Sequence, residues 1–560
     1  DALGDIDRVR QDIVNLWQQH QQLPHVALDQ TAEKVQTPAF AKAKQTKAIH
    51  HVQQKYLCLE QSIACVRDHE LYPQRQGWPI IADRHPVVPM TMEVLMLRDA
   101  LREQLALQYP GWHVVEVFDI KAFNWLVVST PLNVELRLNS ISDSCVRGEI
   151  VGYFSATLRI AAHWPSADKA PLPALVGARD TRVAAHDLYQ QQWMFHGPAY
   201  QGVMRFKGIG SNGIDGELRV PSGQGALLDN MGQLAGYWVM EQPENCLAMP
   251  IGVGSIQFYG PDPVLGESLQ AQVRINHLDD FSCNSSHQLR TADGRLIISI
   301  DDWQTRRYQM DKVFWEASRM LSEYKVSRDI APNVVLFDDR YDTAILRDYL
   351  SRRYLTASER KVYDALSPRR KRSWLNGRVA AKDATRVFLQ SRGINAVYPQ
   401  EIIIENDASG APHIRANVTN RLPDGLSLSI AHKGNLAVAT VSDEPVGIDL
   451  ESIKERSQEF VHAAFGSDEL NLLNAVDEPD ELIFTRGWVA KEVAAKQSGH
   501  GLAGAPKNWP VSECQGGALR INNCWVYSIV LDGHVMGWSL PSALAEPLLM
   551  ALADNQSEML

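Results

Sequence analysis

The residues most able to do chemistry lie late in the chain. In the run LAVATVSDEPVGIDLESI, from Leu436 to Ile453, the pattern reads as a strand, a turn at Asp443 to Pro445, and a second strand carrying Asp449 and Glu451. Residues two apart on a strand project from the same face, so these two carboxylates point at one ligand. Further on, FTRGWVAKEVAAKQSGHGL has helical spacing and ends at glycines able to cap a helix, and Glu492 and Lys496, four apart, share one of its faces. Three carboxylates beside lysines suit a hard cation held next to an anion: oxygen ligands favour Mg²⁺, which keeps positions open for phosphate oxygens. Taken singly, an acidic pair at a strand end or a K-E-x-x-x-K helix is more often solvated surface. Their combination in this order is what argues for a phosphate substrate.

The bulk properties constrain what surrounds that site. A chain of 560 residues is too long for one ordinary core, so two or three domains are expected. Apolar residues make up 45% and charged residues 22%, as in folded globular material, and no apolar run approaches the roughly 20 residues that cross a bilayer, so no membrane is expected as a partner. The start, DALGDIDRVRQDIVNLW, is acidic and amphipathic and lacks the basic and apolar regions of a signal peptide, which favours the cytoplasm. Seven scattered cysteines, with no C-x-x-C pair, imply neither disulfides nor a zinc site. A net charge of -11 argues against a nucleic-acid coat, so any anion site must be local.

The elements that must position the site follow from texture. Residues 1–75 are rich in Gln, Ala, Leu and Lys at helical spacing and predict a helical arm or linker. From about 80 to 310 short strand-like runs alternate with turns, interrupted by two helices, TMEVLMLRDALREQLALQ and ALLDNMGQLAGYWVMEQ. One helix with several strands, met twice, predicts two similar α+β halves, 76–180 and 181–312. A connection over 313–340 leads to a third region of mixed helices and strands, 341–548, ending in a frayed tail.

The third region resembles the Sfp-type 4'-phosphopantetheinyl transferases, whose V-G-I-D-[IV]-E strand stands here as Val446 to Glu451 and whose W-x-x-K-E-[AS]-x-x-K helix stands as Trp488 to Lys496. RRKRSWLNGRVAAKDATRVFL and LSLSIAHKGNLAVATVS resemble two further motifs, which carry over to Arg372, Arg378 and His432. The departures are Ala431, where a serine is usual and a hydroxyl contact to a coenzyme A phosphate is lost, and Val493, where a small residue is usual. The resemblance implies a pseudo-twofold α/β fold. It implies that Asp449, Glu451 and Glu492 hold Mg²⁺ against the pyrophosphate of coenzyme A, that Lys496 neutralises charge on the transferred group, and that Glu492 or a water it orients takes the serine proton. Arg372, Arg378, His432 and Lys491 are then the coenzyme A contacts.

The segment 80–310 is similar to the dehydratase domains of polyketide synthases of enediyne and polyunsaturated-fatty-acid type, on HPVVPMTMEVLM, FHGPAYQGV and LLDNMGQLAGYW. This implies a double hotdog, with Asp229 and Gln233 on the family's D-x-x-x-Q helix. The family pairs that Asp, as acid, with a His base in the pattern H-x-x-x-G-x-x-x-x-P. Here Pro89 is preceded by Arg84 at the Gly position and Ile80 at the His position, so the motif reads as degenerate. His85 is the local candidate base, extended by Pro86, and His196, in F-H-G-P, reads as a structural turn residue. The expectation is therefore an α+β multidomain chain that transfers phosphopantetheine from coenzyme A to a serine of an acyl carrier protein within a polyketide synthase. Its alternatives are a non-catalytic docking and assembly module, or an active β-hydroxyacyl dehydratase using His85 and Asp229. Double hotdogs of this kind often pair, which implies a homodimer.

Overall fold

Alternation of apolar and polar residues with period two makes the strands, and two apolar runs with helical spacing make the helices they wrap. The computed structural model describes residues 48–242, 245–340, 344–418, 421–515 and 517–540. Its first part is an antiparallel sheet of 11 strands: β1 (His50–Leu57), β2 (His113–Ala122), β3 (Leu132–Ser142), β4 (Cys145–Ile150), β5 (Phe154–Ala161), β6 (Val203–Gly210), β7 (Gly213–Arg219), β8 (Cys246–Phe258), β9 (Ser268–Leu278), β10 (Ser282–Arg290) and β11 (Leu296–Gln309). The order β1-β3-β4-β5-β2-β8-β11-β10-β9-β7-β6 shows two half-sheets joined where β2 pairs with β8, Val117 opposite Ile256. Each half packs against one long helix, α1 (Met90–Gln108) or α2 (Ala226–Met240), through a shared apolar core that includes Leu97, Leu101, Leu158, Leu234 and Trp238. This is the expected double hotdog, with its two half-sheets fused.

The helix starts abut. Gly225 precedes α2 with φ 80°, and a Cβ there would fall 2.5 Å from the Met92 nitrogen. Only a glycine fits, and the close approach sets the first turn of α2 beside the start of α1.

The expected helical arm over 1–75 is corrected where it can be seen. Residues 1–47 lie outside the described residues, and 50–57 form β1, which pairs antiparallel with β3 from His50 opposite Asn139 to Leu57 opposite Leu132. The sequence HHVQQKYL alternates with period two, and the free edge of β3 outweighs its weak helical pattern.

The third region is built twice over. β12 (Arg328–Ala331), β13 (Val334–Asp338), β14 (Ile402–Asn406), β15 (Pro412–Ala416), β16 (Ser427–Lys433), β17 (Leu436–Ser442), β18 (Ile448–Ser452), β19 (Val511–Gln515), β20 (Ala518–Ile521), β21 (Cys524–Leu531) and β22 (His534–Ser539) make two main sheets, ordered β12-β13-β17-β16 and β18-β22-β21-β20-β19, and a separate hairpin of β14 and β15. Helix α3 (Pro368–Ser391) covers the first and α4 (Asp480–Gln497) the second, while Val334, Leu336, Val438, Ile448, Leu450 and Met536 seal the sheets to each other. Because β12 and β13 belong to this layer, and a helix spans Lys312–Arg319, the segment 313–340 is part of the third region's architecture and not a plain linker. The expected end at 548 lies outside the described residues.

A repeated polar staple marks the pseudo-twofold. Glu359 accepts from the Thr356 nitrogen (2.9 Å), the Ile404 nitrogen (3.0 Å) and the fully buried Lys382 (2.5 Å). Glu469 accepts from the Gly466 nitrogen (2.8 Å), the Val511 nitrogen (2.9 Å) and the fully buried Lys491 (2.6 Å). In both halves one glutamate caps its own helix, accepts from a strand N–H and neutralises a lysine of the long helix.

The hotdogs and the third region meet along the loop 71–85. The buried Asp83 accepts from Trp78 Nε1 (3.2 Å), the Ala357 nitrogen (3.1 Å) and Arg360 (3.1 Å), and Arg75 pairs with Glu401 at 2.9 Å. We expect Asp83→Ala to strand the Arg360 charge in this seam and lower stability by about 3 kcal/mol, read as loss of circular dichroism at a lower temperature than wild type; an unchanged melting curve would contradict the seam's role.

Candidate functional site

The acidic site is built from the strand up. A Cβ on Gly447 would fall 2.0 Å from the Val493 carbonyl oxygen, so β18 rests directly on α4. Its backbone is then tied to both sheets: the Gly447 N–H donates to Ser539 Oγ (2.9 Å), and the Val446 and Ile448 N–H groups donate to Ser427 Oγ (3.2 Å) and Ser429 Oγ (3.0 Å). Hydroxyls replace the missing ladder between β16 and β18. With the strand fixed, Asp449 and Glu451 project together as the spacing requires.

The charges around them are uneven. Lys496 Nζ donates to Asp449 Oδ1 (2.7 Å) and to the Ile448 carbonyl (3.0 Å), and Lys433 pairs with Glu451 at 2.8 Å. Glu492 has no hydrogen-bond donor or ion-pair partner among the described residues. Burial pushes its carboxyl above the usual value, the nearby Asp449 and Glu451 push it further, and Lys496 opposes them. His432, at the end of β16, is next in sequence to Lys433, whose ion pair with Glu451 brings this strand end to the same corner; desolvation and Lys496 hold its ring below its ordinary value. Five of the expected residues therefore converge: Asp449, Glu451, Glu492, Lys496 and His432.

Three others are placed differently. Lys491, expected at coenzyme A, is fully buried in the Glu469 staple and also donates to the Pro506 carbonyl (3.0 Å), contacts that turn it away from the acidic corner. Arg372 donates to Asp339 Oδ2 (2.6 Å) and Arg378 to Asn406 Oδ1 (2.6 Å), with Arg378 buried over the Trp374 ring. Six residues apart on one helix, the two side chains leave α3 about 120° apart and have different partners. Ala431 is buried in the apolar seam between the two sheets.

A second cluster stands between the hotdogs. Asp229, in the first turn of α2, accepts from Gln233 Nε2 (2.7 Å) and lies 3.1 Å from His196 Nε2 through the same oxygen, Oδ2. His69 completes it: ligating atoms of His69, His196 and Asp229 all lie within 4.8 Å of one another. His69 Nδ1 meets the Val87 carbonyl at 2.8 Å, which directs Nε2 toward the cluster. Burial and the neighbouring His196 push His69 down to about 4, so it is a neutral imidazole near pH 7.

His85 is not in this cluster. It ends the short helix Ile81–Arg84 in a left-handed conformation with φ 53°, not the expected extended one, and its ring packs against Tyr72 and Trp125 with Arg352 3.4 Å from Nδ1. It belongs to the seam with the third region. His69 was hidden by spacing: it stands twenty residues before Pro89, against nine in the family pattern. The extra residues form the loop 71–85, which leaves the sheet and returns through a bridge from Glu70 to Pro86, restoring His69 beside Val87. His196, read as a turn residue, is part of the site as well.

Two parts of the chain match known families. Residues 445–538 match the family described as the 4'-phosphopantetheinyl transferase superfamily, and residues 165–313 match the polyketide synthase dehydratase N-terminal domain. A 4'-phosphopantetheinyl transferase of Bacillus pumilus is 32% identical over 105 residues, 19% of this chain and 42% of that protein. A holo-[acyl-carrier-protein] synthase of Geobacillus sp. is 36% identical over 90 residues, 16% of this chain and 72% of that protein. The chain thus spans less than half of the first relative's length. Among solved structures, the dehydratase domain from the CurF module of curacin polyketide synthase is 16% identical, covering 47% of this chain and 98% of that one with a TM-score of 0.36.

Gly447→Ala should force β18 off α4, since the Val493 carbonyl is backbone and cannot rotate aside. Overpacking of this kind costs about 1–3 kcal/mol or more, so thermal unfolding should show a clear drop; a variant as stable as wild type would refute the close contact.

Proposed function

The chain belongs to the 4'-phosphopantetheinyl transferase superfamily, and from that premise we propose that its third region transfers 4'-phosphopantetheine from coenzyme A to a serine of an acyl carrier protein. The observation that carries this reading is the Glu492 carboxylate, half-buried without a donor between Asp449 and Glu451. Carboxylates crowded in this way are stable only with a cation beside them, and all-oxygen donors suit Mg²⁺. Asp449, Glu451 and Glu492 would hold the ion, which when bound neutralises charge on the pyrophosphate of coenzyme A. The carrier serine oxygen forms a bond to the phosphorus that bears pantetheine, and the bond from that phosphorus to the adenosine bisphosphate oxygen breaks. Glu492, whose raised pKa suits a base, receives the serine proton directly or through a water. Lys496 offsets the developing charge and His432 meets a phosphate oxygen, while Arg372, less buried than Arg378, is the better arginine for the nucleotide end.

A second activity has its own support. His69 and Asp229 face each other from the two hotdogs, as removal of water from a β-hydroxyacyl thioester requires, so we read the dehydratase-like half as active through His69 in place of His85. That convergence, at both sites, counts against a purely non-catalytic docking module. A polyketide synthase setting, a cytoplasmic location and a homodimer through the hotdogs are part of this proposal; seven unpaired cysteines fit a reducing compartment.

Incubation with coenzyme A, Mg²⁺ and an apo carrier protein, followed by intact-mass measurement, tests the first reading. The carrier should gain one phosphopantetheine, and Glu492→Gln should slow the gain by about 10²–10⁴ with the fold retained; undiminished transfer by that variant would refute the site. For the second, enoyl formation from a carrier-bound β-hydroxyacyl group should fall by about 10²–10⁴ in His69→Ala and stay within a few-fold of wild type in His85→Ala. The reverse pattern would restore His85.

A further inference from the structure

We infer that His69, His196 and Asp229 form a binding site for a divalent transition cation of the zinc type, one that Mg²⁺ does not fill.

The three ligands come from separate segments, which the fold ties together through groups outside the cluster. The residue before His69 meets the F-H-G-P turn, where the Gly197 N–H donates to the Asp68 carbonyl and the Ala199 N–H to Asp68 Oδ2, both at 2.7 Å. That turn meets α2 where Asn230 Nδ2 donates to the Tyr200 carbonyl (2.6 Å). The Phe195 ring stacks on His196 with centroids 4.1 Å apart and meets His69 edge-on at 5.0 Å. Both histidines are buried, and the Asp229 side chain is only 14% exposed. Ligands held in place in this way lose little freedom when an ion binds.

The distances fit. Two histidines and a carboxylate are a donor set that holds zinc at three positions and leaves a fourth for water. Bonds of about 2.0–2.1 Å at tetrahedral angles set ligand atoms about 3.3 Å apart, and His196 Nε2 and Asp229 Oδ2 stand 3.1 Å apart. The ligating atom of His69 lies within 4.8 Å of the other two, so it has at most about 1.5 Å to close.

The groups behind the ligands suit a metal as well. His69 Nδ1 gives its proton to the Val87 carbonyl (2.8 Å), which turns an Nε2 lone pair toward the cluster. Gln233 Nε2 donates to Asp229 Oδ2 (2.7 Å) and to the Tyr200 carbonyl (3.1 Å), and the Tyr189 hydroxyl fixes that amide by donating to Oε1 (2.8 Å). His196 Nδ1 is buried with no hydrogen-bond partner, so moving the ring proton there frees Nε2 for an ion and breaks no bond at Nδ1. With two nitrogens among three donors, the site matches zinc and is a poor match for Mg²⁺, which prefers oxygen. The all-oxygen acidic corner has the opposite preference.

One consequence rests on the dehydratase reading above. An ion on His69 Nε2 takes the lone pair that would accept a proton from the substrate, and the same ion holds Asp229. Zinc therefore stops dehydration, and chelation restores it.

The test uses the full chain carrying Asp449→Asn and Glu492→Gln, which removes the acidic corner as a competing site. Dialysis against Zn²⁺ in excess Mg²⁺, followed by metal counting by mass spectrometry, should find one zinc per chain. Co²⁺ in its place should show the visible bands of an ion ligated by nitrogen and oxygen, without the near-ultraviolet band that cysteine thiolates add. His69→Gln, His196→Gln and Asp229→Asn, each added to that chain, should weaken binding by about tenfold or more; circular dichroism checks each fold, and if one variant does not fold the other two decide. No zinc on the starting chain, zinc held equally by the added variants, or a thiolate band with Co²⁺ would overturn the site. In the wild-type chain, enoyl formation from a carrier-bound β-hydroxyacyl group should fall in step with zinc occupancy and return on chelation; full occupancy with undiminished enoyl formation would place the ion away from His69 and overturn the site too. A wild type that forms no enoyl product even without zinc counts against the dehydratase reading alone, because the metal count decides the site without it.

Discussion

Mutual repulsion among Asp449, Glu451 and Glu492 is the constraint on which the third region turns. Proteins place like charges in a half-buried corner at a cost, and two of these carboxylates are only partly compensated, by Lys496 and Lys433. The pseudo-twofold shows what the same fold does when a carboxylate is structural. The twin staples make Lys382 and Lys491 equivalent, so Asp383 is the counterpart of Glu492. Asp383 is fully buried and answered by Arg386 (2.9 Å), Tyr354 (3.1 Å) and the Ser327 nitrogen (3.0 Å). Glu492 has none of these donors. One half of the duplicated core satisfies its acid, and the other leaves Glu492 without a donor among the described residues.

Everything around that corner serves to hold the acids still. Gly447 lets β18 touch α4, serine hydroxyls tie β18 to both sheets, and the Glu469–Lys491 staple fixes α4 from its far side. None of these groups is one of the three acids, and moving any of them would displace Asp449 or Glu492.

The acidic corner was legible in the sequence because both of its signals are local: a two-residue spacing on a strand and a four-residue spacing on a helix survive any change in the rest of the fold. The double hotdog was legible for a similar reason, as repeated helix and strand texture. The burial of Lys491 and Arg378 was not legible because burial is a tertiary property; a lysine in K-E-x-x-x-K looks identical whether it meets phosphate or Glu469. His69 was missed because its partner Asp229 is distant in sequence and the loop 71–85 broke the expected spacing. That loop makes the seam with Asp83 and Arg75, so the feature that hid the histidine also joins the two halves. β1 was misread because a lone strand takes its identity from the edge it pairs with.

The central claim is that the three carboxylates become a binding site for the pyrophosphate of coenzyme A only when a divalent cation joins them. Calorimetric titration of coenzyme A into the full chain, with Mg²⁺ and then with Mg²⁺ chelated, tests it most directly. Binding should weaken at least tenfold on chelation, with circular dichroism unchanged, and an Asp449→Asn variant should bind weakly in both conditions. Binding of equal strength with and without the cation would contradict it.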